Sequence, residues 1–160
     1  MKATSFFRIH PLQILSKCFL CAIVSASDIT FLAAQETNIV VAIAVEKKYC
    51  GSNYYYTDLG LSWWYGSTSI SELERKAKED VMDRYPNYSH FNVKYNNRQN
   101  KHIVIISTTT PYQNCDRHTY GVGFGSNSYD ALEKAKESLY GSNWNWGRND
   151  PYKLVLDKSL

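Results

Sequence analysis

Hydrophobic and polar positions along the chain run twice through the same order of strand, strand, helix and strand. In the first round, Ile39-Val40-Val41-Ala42-Ile43-Ala44-Val45 is an unbroken apolar run of strand length. A polar, Tyr-rich connection follows, and Leu59 to Tyr65 alternates as a second strand. Gly66-Ser67 turns the chain, and Ser69 with Glu72 makes the S-x-x-E capping box of a helix. Ile70, Leu73, Ala77 and Val81 recur at helical spacing, with Glu, Arg, Lys and Asp on the opposite face. Pro86 ends that helix, because its ring disfavours helical geometry in the residue before it. Phe91, Val93 and Tyr95 then alternate as a closing strand.

The second round starts at His102-Ile103-Val104-Ile105-Ile106-Ser107 and continues with a strand from Tyr120 to Phe124. Tyr129, Leu132, Ala135 and Leu139 form the apolar stripe of its helix, which Gly141-Ser142-Asn143 stops. Tyr152 to Leu156 closes it. The two rounds also match residue by residue. Tyr65-Gly66-Ser67-Thr68-Ser69 corresponds to Phe124-Gly125-Ser126-Asn127-Ser128, and Lys76-Ala77-Lys78-Glu79 to Lys134-Ala135-Lys136-Glu137. Repeat one covers about 39–96 and repeat two about 102–157. Each alone is too small for a core of its own. The pattern therefore predicts one α+β domain over residues 36–160, with two tandem strand-strand-helix-strand repeats related by a pseudo-twofold. Its helices are expected on one face of a mainly antiparallel sheet.

Residues 1–27 carry Lys2, Arg8 and Lys17, then the apolar run Cys18 to Val24, then Ser25-Ala26-Ser27. This is the order of a secretory signal peptide, with cleavage after Ala26 or Ser27 or as late as Ala34-Gln35. An uncleaved membrane anchor is the competing expectation, although Asp28 interrupts the run well short of about 20 apolar residues. Cleavage would leave no membrane span. Those three leader cations account for the excess of the chain's 18 basic residues over its 15 acidic ones, so the remainder is neutral. A neutral body with interleaved charges argues against nucleic acid as a partner. Cys18 and Cys21 fall inside the leader. Cys50 and Cys115 remain, and in an exported periplasmic or secreted chain they are expected to form one disulfide, tying equivalent loops of the two repeats.

The Ala42-Ile43-Ala44 strand, the aromatic and glycine strands Gly60-Leu61-Ser62-Trp63-Trp64-Tyr65-Gly66-Ser67 and Tyr120-Gly121-Val122-Gly123-Phe124-Gly125-Ser126, and the Lys/Glu/Ala helices resemble a family of exported bacterial proteins. It is the one catalogued as domain of unknown function 4189. The resemblance spans residues 39 to 157 and implies export and architecture. It brings no catalytic residues with it. The chain departs from that family's pattern at the helix ends, where Val81-Met82 and Leu139-Tyr140 stand in place of cysteine.

Residues able to do chemistry are scattered. His90, His102 and His118 lack the close spacing of metal ligands, so neither metal nor cofactor is expected. Cys115-Asp116-Arg117-His118 places a thiol three residues from an imidazole, the one arrangement that suggests a cysteine-dependent enzyme. A disulfide would remove that thiol. Glu72, Glu74, Glu79, Glu133 and Glu137 sit beside Lys and Arg on polar helix faces, where they pair rather than catalyse. Gly121, Gly123 and Gly125 alternate within a strand and read as close-packing positions.

Aromatic residues are the excess. Beyond residue 27 there are 13 Tyr, 4 Trp and 3 Phe, and seven of these lie between Tyr49 and Tyr65. Tyr54, Tyr55 and Tyr56, with Trp64, Trp144 and Trp146, are the candidate binding residues, because Tyr and Trp offer a large apolar surface with a polar handle. The expectation is a noncatalytic exported domain that binds a protein of the cell envelope or the secreted medium, in an inhibitor or immunity-like role. The alternative is an envelope glycan-binding module that stacks sugars on the same Trp and Tyr rings.

Overall fold

The computed structural model describes residues 37–96 and 100–160, so the leader and its cleavage point lie outside the described residues. The order is β1 (Asn38–Cys50), β2 (Asn53–Gly66), α1 (Ile70–Arg84), β3 (His90–Tyr95), β4 (His102–Tyr112), β5 (Cys115–Gly125), α2 (Ser128–Ser142) and β6 (Lys153–Ser159). The α+β class, the antiparallel pairing and the repeated order are present as the sequence predicts. The six strands divide into two sheets, β2-β1-β3 and β5-β4-β6, so each helix covers one face of its own sheet.

Alternation along the central strands explains this layering. Val40, Ala42 and Ala44 point to α1, where Leu73, Ala77 and Val81 meet them. Val104 and Ile106 point to Ala131, Ala135 and Leu139 of α2. The odd positions Ile39, Val41, Ile43 and Val45 face Ile103, Ile105 and Val122 of the other sheet. Central strands covered on both faces read as continuous apolar runs. Fully burying a Leu, Ile or Val side chain contributes about 1.5–3 kcal/mol relative to exposure, so this double coverage is the main source of cohesion.

Register supports the repeat. Ile39 and Val41 lie opposite Tyr65 and Trp63, as Ile103 and Ile105 lie opposite Phe124 and Val122. Both hairpins run further than the apolar pattern suggests. The stretches expected as connections are paired strand that closes in tight turns at Gly51-Ser52 and Gln113-Asn114. They read as loops because they extend past the doubly covered centre and carry polar residues.

The helix ends follow local rules. Ser69 Oγ accepts from Glu72 N at 3.3 Å, but the Glu72 carboxylate turns to Arg75, so only half of the capping box forms. Asn127 Oδ1 caps α2 through Asp130 N at 2.9 Å. Helix α1 stops at Arg84, before Pro86.

Cys50 and Cys115 form a disulfide with their Cα atoms 5.9 Å apart. It joins equivalent hairpins from unequal positions, since Cys50 ends β1 whereas Cys115 begins β5. Among the described residues no helix is long and apolar enough to cross a membrane.

Candidate functional site

One irregularity in the first hairpin builds the site. Ala44 pairs with Gly60 and Val45 with Asp58, so Leu59 is an extra residue and forms a β-bulge. In an unbroken strand Asp58 would point with Gly60 and Ser62 toward α1. The bulge turns it, with Tyr56 and Tyr54, onto the face between the sheets. The register-equivalent position of repeat two, opposite Thr109, is held by His118.

Beside the bulge the facing edges of β2 and β5 are joined by side chains in place of a backbone ladder. Tyr55 Oη donates to Asp116 O at 3.1 Å. Thr57 Oγ1 donates to His118 O at 3.2 Å and accepts from His118 N at 2.9 Å. The Asp58 carboxylate accepts from Tyr120 N at 2.7 Å, and His118 Nδ1 approaches Asp58 O at 3.2 Å. Arg117 donates from Nε to Tyr56 O at 3.0 Å and from Nη2 to Ser142 O at 2.7 Å. Its cation thus sits on the carbonyl end of α2, a favourable place for positive charge.

An open groove of about 290 Å³ lies over this joint. Ile43 and Val45 form its apolar part, and Asp58, Arg117 and Tyr120 lie along one side. The register of β3 places His90, Asn92 and Lys94 opposite Val45, Ile43 and Val41, so three exposed polar side chains line the other side. Burial pushes the half-buried Asp58 carboxyl up to about 6, against the Tyr120 N–H and the charges of Arg117 and Lys94, which pull it down. Burial, with Tyr85 and Asp58 nearby, also raises the Tyr120 phenol. A carboxyl kept costly to ionise, in a groove with two cations, marks a functional-site candidate.

An aromatic strip leads into the groove. Lys47 Nζ lies 4.2 Å from the Tyr54 ring centroid and 5.6 Å from that of Tyr49. The Tyr54 and Tyr56 rings meet edge to face at 6.0 Å, and Tyr56 meets His90 in the same way at 5.1 Å. Tyr49, Tyr54 and Tyr56 are exposed.

The candidate binding residues therefore separate. Tyr54 and Tyr56 come together at the groove. Tyr55 does not join them: it is buried, stacked on Tyr112 at 4.8 Å, because alternation sends it to the other side of the strand. Trp64 pairs with Val40 on the α1 face of the first sheet, half-exposed, with Lys76 Nζ at 5.7 Å. Trp144 is 74 % exposed in the connection from α2 to β6. Trp146 is 1 % exposed and packs with Val104, Ile106 and Leu139, which corrects its expected place on the surface. The polarity of that connection is misleading. Asn143 is itself buried, donating to Thr110 Oγ1 at 2.9 Å and to Thr119 Oγ1 at 3.3 Å, while Trp146 Nε1 donates to Pro151 O.

The remaining candidates are engaged in bonds of the fold. Cys115 is bonded to Cys50 and offers no thiolate in this state, while Arg117 and His118 belong to the joint between β2 and β5. His102 pairs with Asp157, which also accepts from Ser128 Oγ at 2.7 Å. Glu72 and Glu79 pair with Arg75 on α1, and Glu133 pairs with Lys136 on α2. No group of three or more His, Cys, Asp or Glu able to hold a metal occurs among the described residues. Sequence reasoning missed Asp58 and Lys94. The available signal was Gly60, an isolated glycine within a strand, which flags a bulge. No family model, no curated protein and no solved structure matches this chain.

Proposed function

We propose that the protein is an exported, noncatalytic domain that grips another protein through the groove and the aromatic strip beside it. One observation carries this reading: exposed Tyr54 and Tyr56 converge with Lys47, His90 and Lys94 along an open groove with an apolar floor. Tyrosines lose little conformational entropy on contact and combine apolar area with a hydroxyl, as binding hot spots require. The disulfide and the leader-like start support export from the reducing interior of the cell. An inhibitor or immunity-like role suits a domain that presents an exposed aromatic strip.

The test is affinity capture of envelope and culture-fluid proteins on the immobilised chain from residue 36 onward. One protein held in stoichiometric amount, and released by Tyr54→Ala with Tyr56→Ala, is the expected result. Each hot-spot tyrosine should contribute about 1–2 kcal/mol. Trp144, strongly exposed, favours envelope glycan as the second reading. Saturable binding to insoluble peptidoglycan that Trp144→Ala abolishes, with no protein captured, would replace the first reading by this one.

A further inference from the structure

The protein-binding reading leaves open what the partner places in the groove, and the charges there specify it. Among the described residues Lys94 and Arg117 have no salt bridge to a carboxylate, and the two carbonyls that Arg117 holds do not neutralise its charge. Lys47 adds a further cation on the strip. The carboxyl beside Lys94 and Arg117, Asp58, interacts with both cations and accepts the Tyr120 N–H, and it offsets their charge only while it is ionised. Tyr56, Ile43 and Val45 line the groove beside these charges and give an apolar contact next to them.

Resting on the reading above, we propose that the groove seats a carboxylate-bearing segment of the partner protein, bound by Lys94 and Arg117 beside Tyr56. Protonation of Asp58 admits it, so that the partner is held more tightly in mildly acid than in neutral solution. Asp58 is faced by His90 and Lys94 from β3 and by Arg117 and Tyr120 from β5, with His118 on its own carbonyl and Tyr85 behind Gly60. Phenols do not titrate in acid. Acidification removes the negative charge of Asp58, and that change favours an anion. The raised Asp58 carboxyl sets the range where this occurs, around pH 6.

The experiment uses rhodamine-labelled hexa-aspartate as probe, with hexalysine as its opposite, and reads anisotropy against the chain from residue 36 onward. Hexa-aspartate should bind about tenfold tighter near pH 5.5 than near pH 7.5, the effect of removing one nearby like charge. Asp58→Asn should bring the neutral-pH affinity close to the acid one, and Lys94→Gln should weaken binding at both. Hexalysine binding as well as hexa-aspartate, or an unchanged pH dependence in Asp58→Asn, would overturn the proposal. A captured partner that depends on Tyr54 and Tyr56 but ignores Lys94 and pH would sink this inference and leave the protein-binding reading standing. Hexa-aspartate binding without any captured protein would keep the anion site but overturn its occupant as a segment of a protein partner.

Discussion

The two repeats cover their sheets with different materials. In the second, Gly121, Gly123 and Gly125 line the α2 face of β5, and the helix backbone rests directly on them. A Cβ at Gly123 would stand 2.0 Å from Ala131 O and 2.3 Å from Ala135 N. In the first, Ser62 and Trp64 occupy the positions matching Gly121 and Gly123, and they reach α1 by side chains: Ser62 Oγ donates to the Asp80 carboxylate and Trp64 lies near Lys76. Within that strand Gly60 instead admits the Tyr85 ring next to the bulge. Backbone-on-backbone packing leaves no slack, whereas side-chain packing tolerates an inserted residue. The tolerant repeat carries the bulge, and the bulge carries the groove.

The strongest way to break this comparison is to separate the repeats. The Cys50–Cys115 bond spans 65 residues of sequence, and closing a loop of that length stabilises the fold by about 4 kcal/mol through the entropy of the unfolded chain. Cys50→Ser with Cys115→Ser should lower the urea-unfolding free energy by that order. A loss below about 1 kcal/mol would show that the β2–β5 side-chain joint suffices to hold the hairpins together.

Next in size is Gly123→Ala. The clashing atoms belong to the backbone of α2, which cannot yield as a flexible side chain would, so a loss of about 3 kcal/mol is expected. The matching position, Trp64, is half-exposed and carries no such clash. Circular dichroism during urea titration of Gly123→Ala decides it. Wild-type stability in that variant would mean that α2 stands further from β5 than the contacts imply.

Most of the architecture was legible because it rests on periodicity. The apolar runs 39–45 and 103–106 and the stripe Leu73-Ala77-Val81 depend on burial that any amphipathic element must achieve, so the repeats, both helices and the close-packing glycines could be read. Two features could not. Division into two sheets depends on what lies between β2 and β5, where Tyr55, Thr57 and Asp58 meet backbone groups some 60 residues away in sequence. Local pattern does not register such contacts. The site suffered most, because one extra residue at Leu59 inverts the facing of everything before it: Tyr55 went inside, Tyr54 and Tyr56 outside, and Asp58 into the groove. Trp146 was lost in the same way, since a buried Asn makes a loop look wet from sequence alone.

A third effect, no larger than that of Gly123→Ala, sharpens the comparison most, because it asks whether the bulge places Asp58 for stability or at its expense. Asp58 titrates at about 6 in the folded protein against an ordinary 3.8. Between those values the folded chain keeps a proton that the unfolded chain releases. Its contribution is therefore most favourable below about pH 4 and is lost as pH rises through 6. Asn at this position retains an oxygen to accept the Tyr120 N–H and never ionises. Asp58→Asn should thus match wild type in acid and exceed it at neutral pH by on the order of 3 kcal/mol. The difference between the two unfolding free energies is the quantity to follow, because Glu72, Asp130 and Asp157, all lowered by their partners, tilt both proteins alike. A difference that stays flat with pH, or an Asn variant weaker than wild type at pH 7, would mean that the carboxylate stabilises the β2–β5 joint. A difference that opens between pH 4 and 7 would mean that the chain keeps a costly charge at the mouth of its groove, which a joint has no use for and a binding site does.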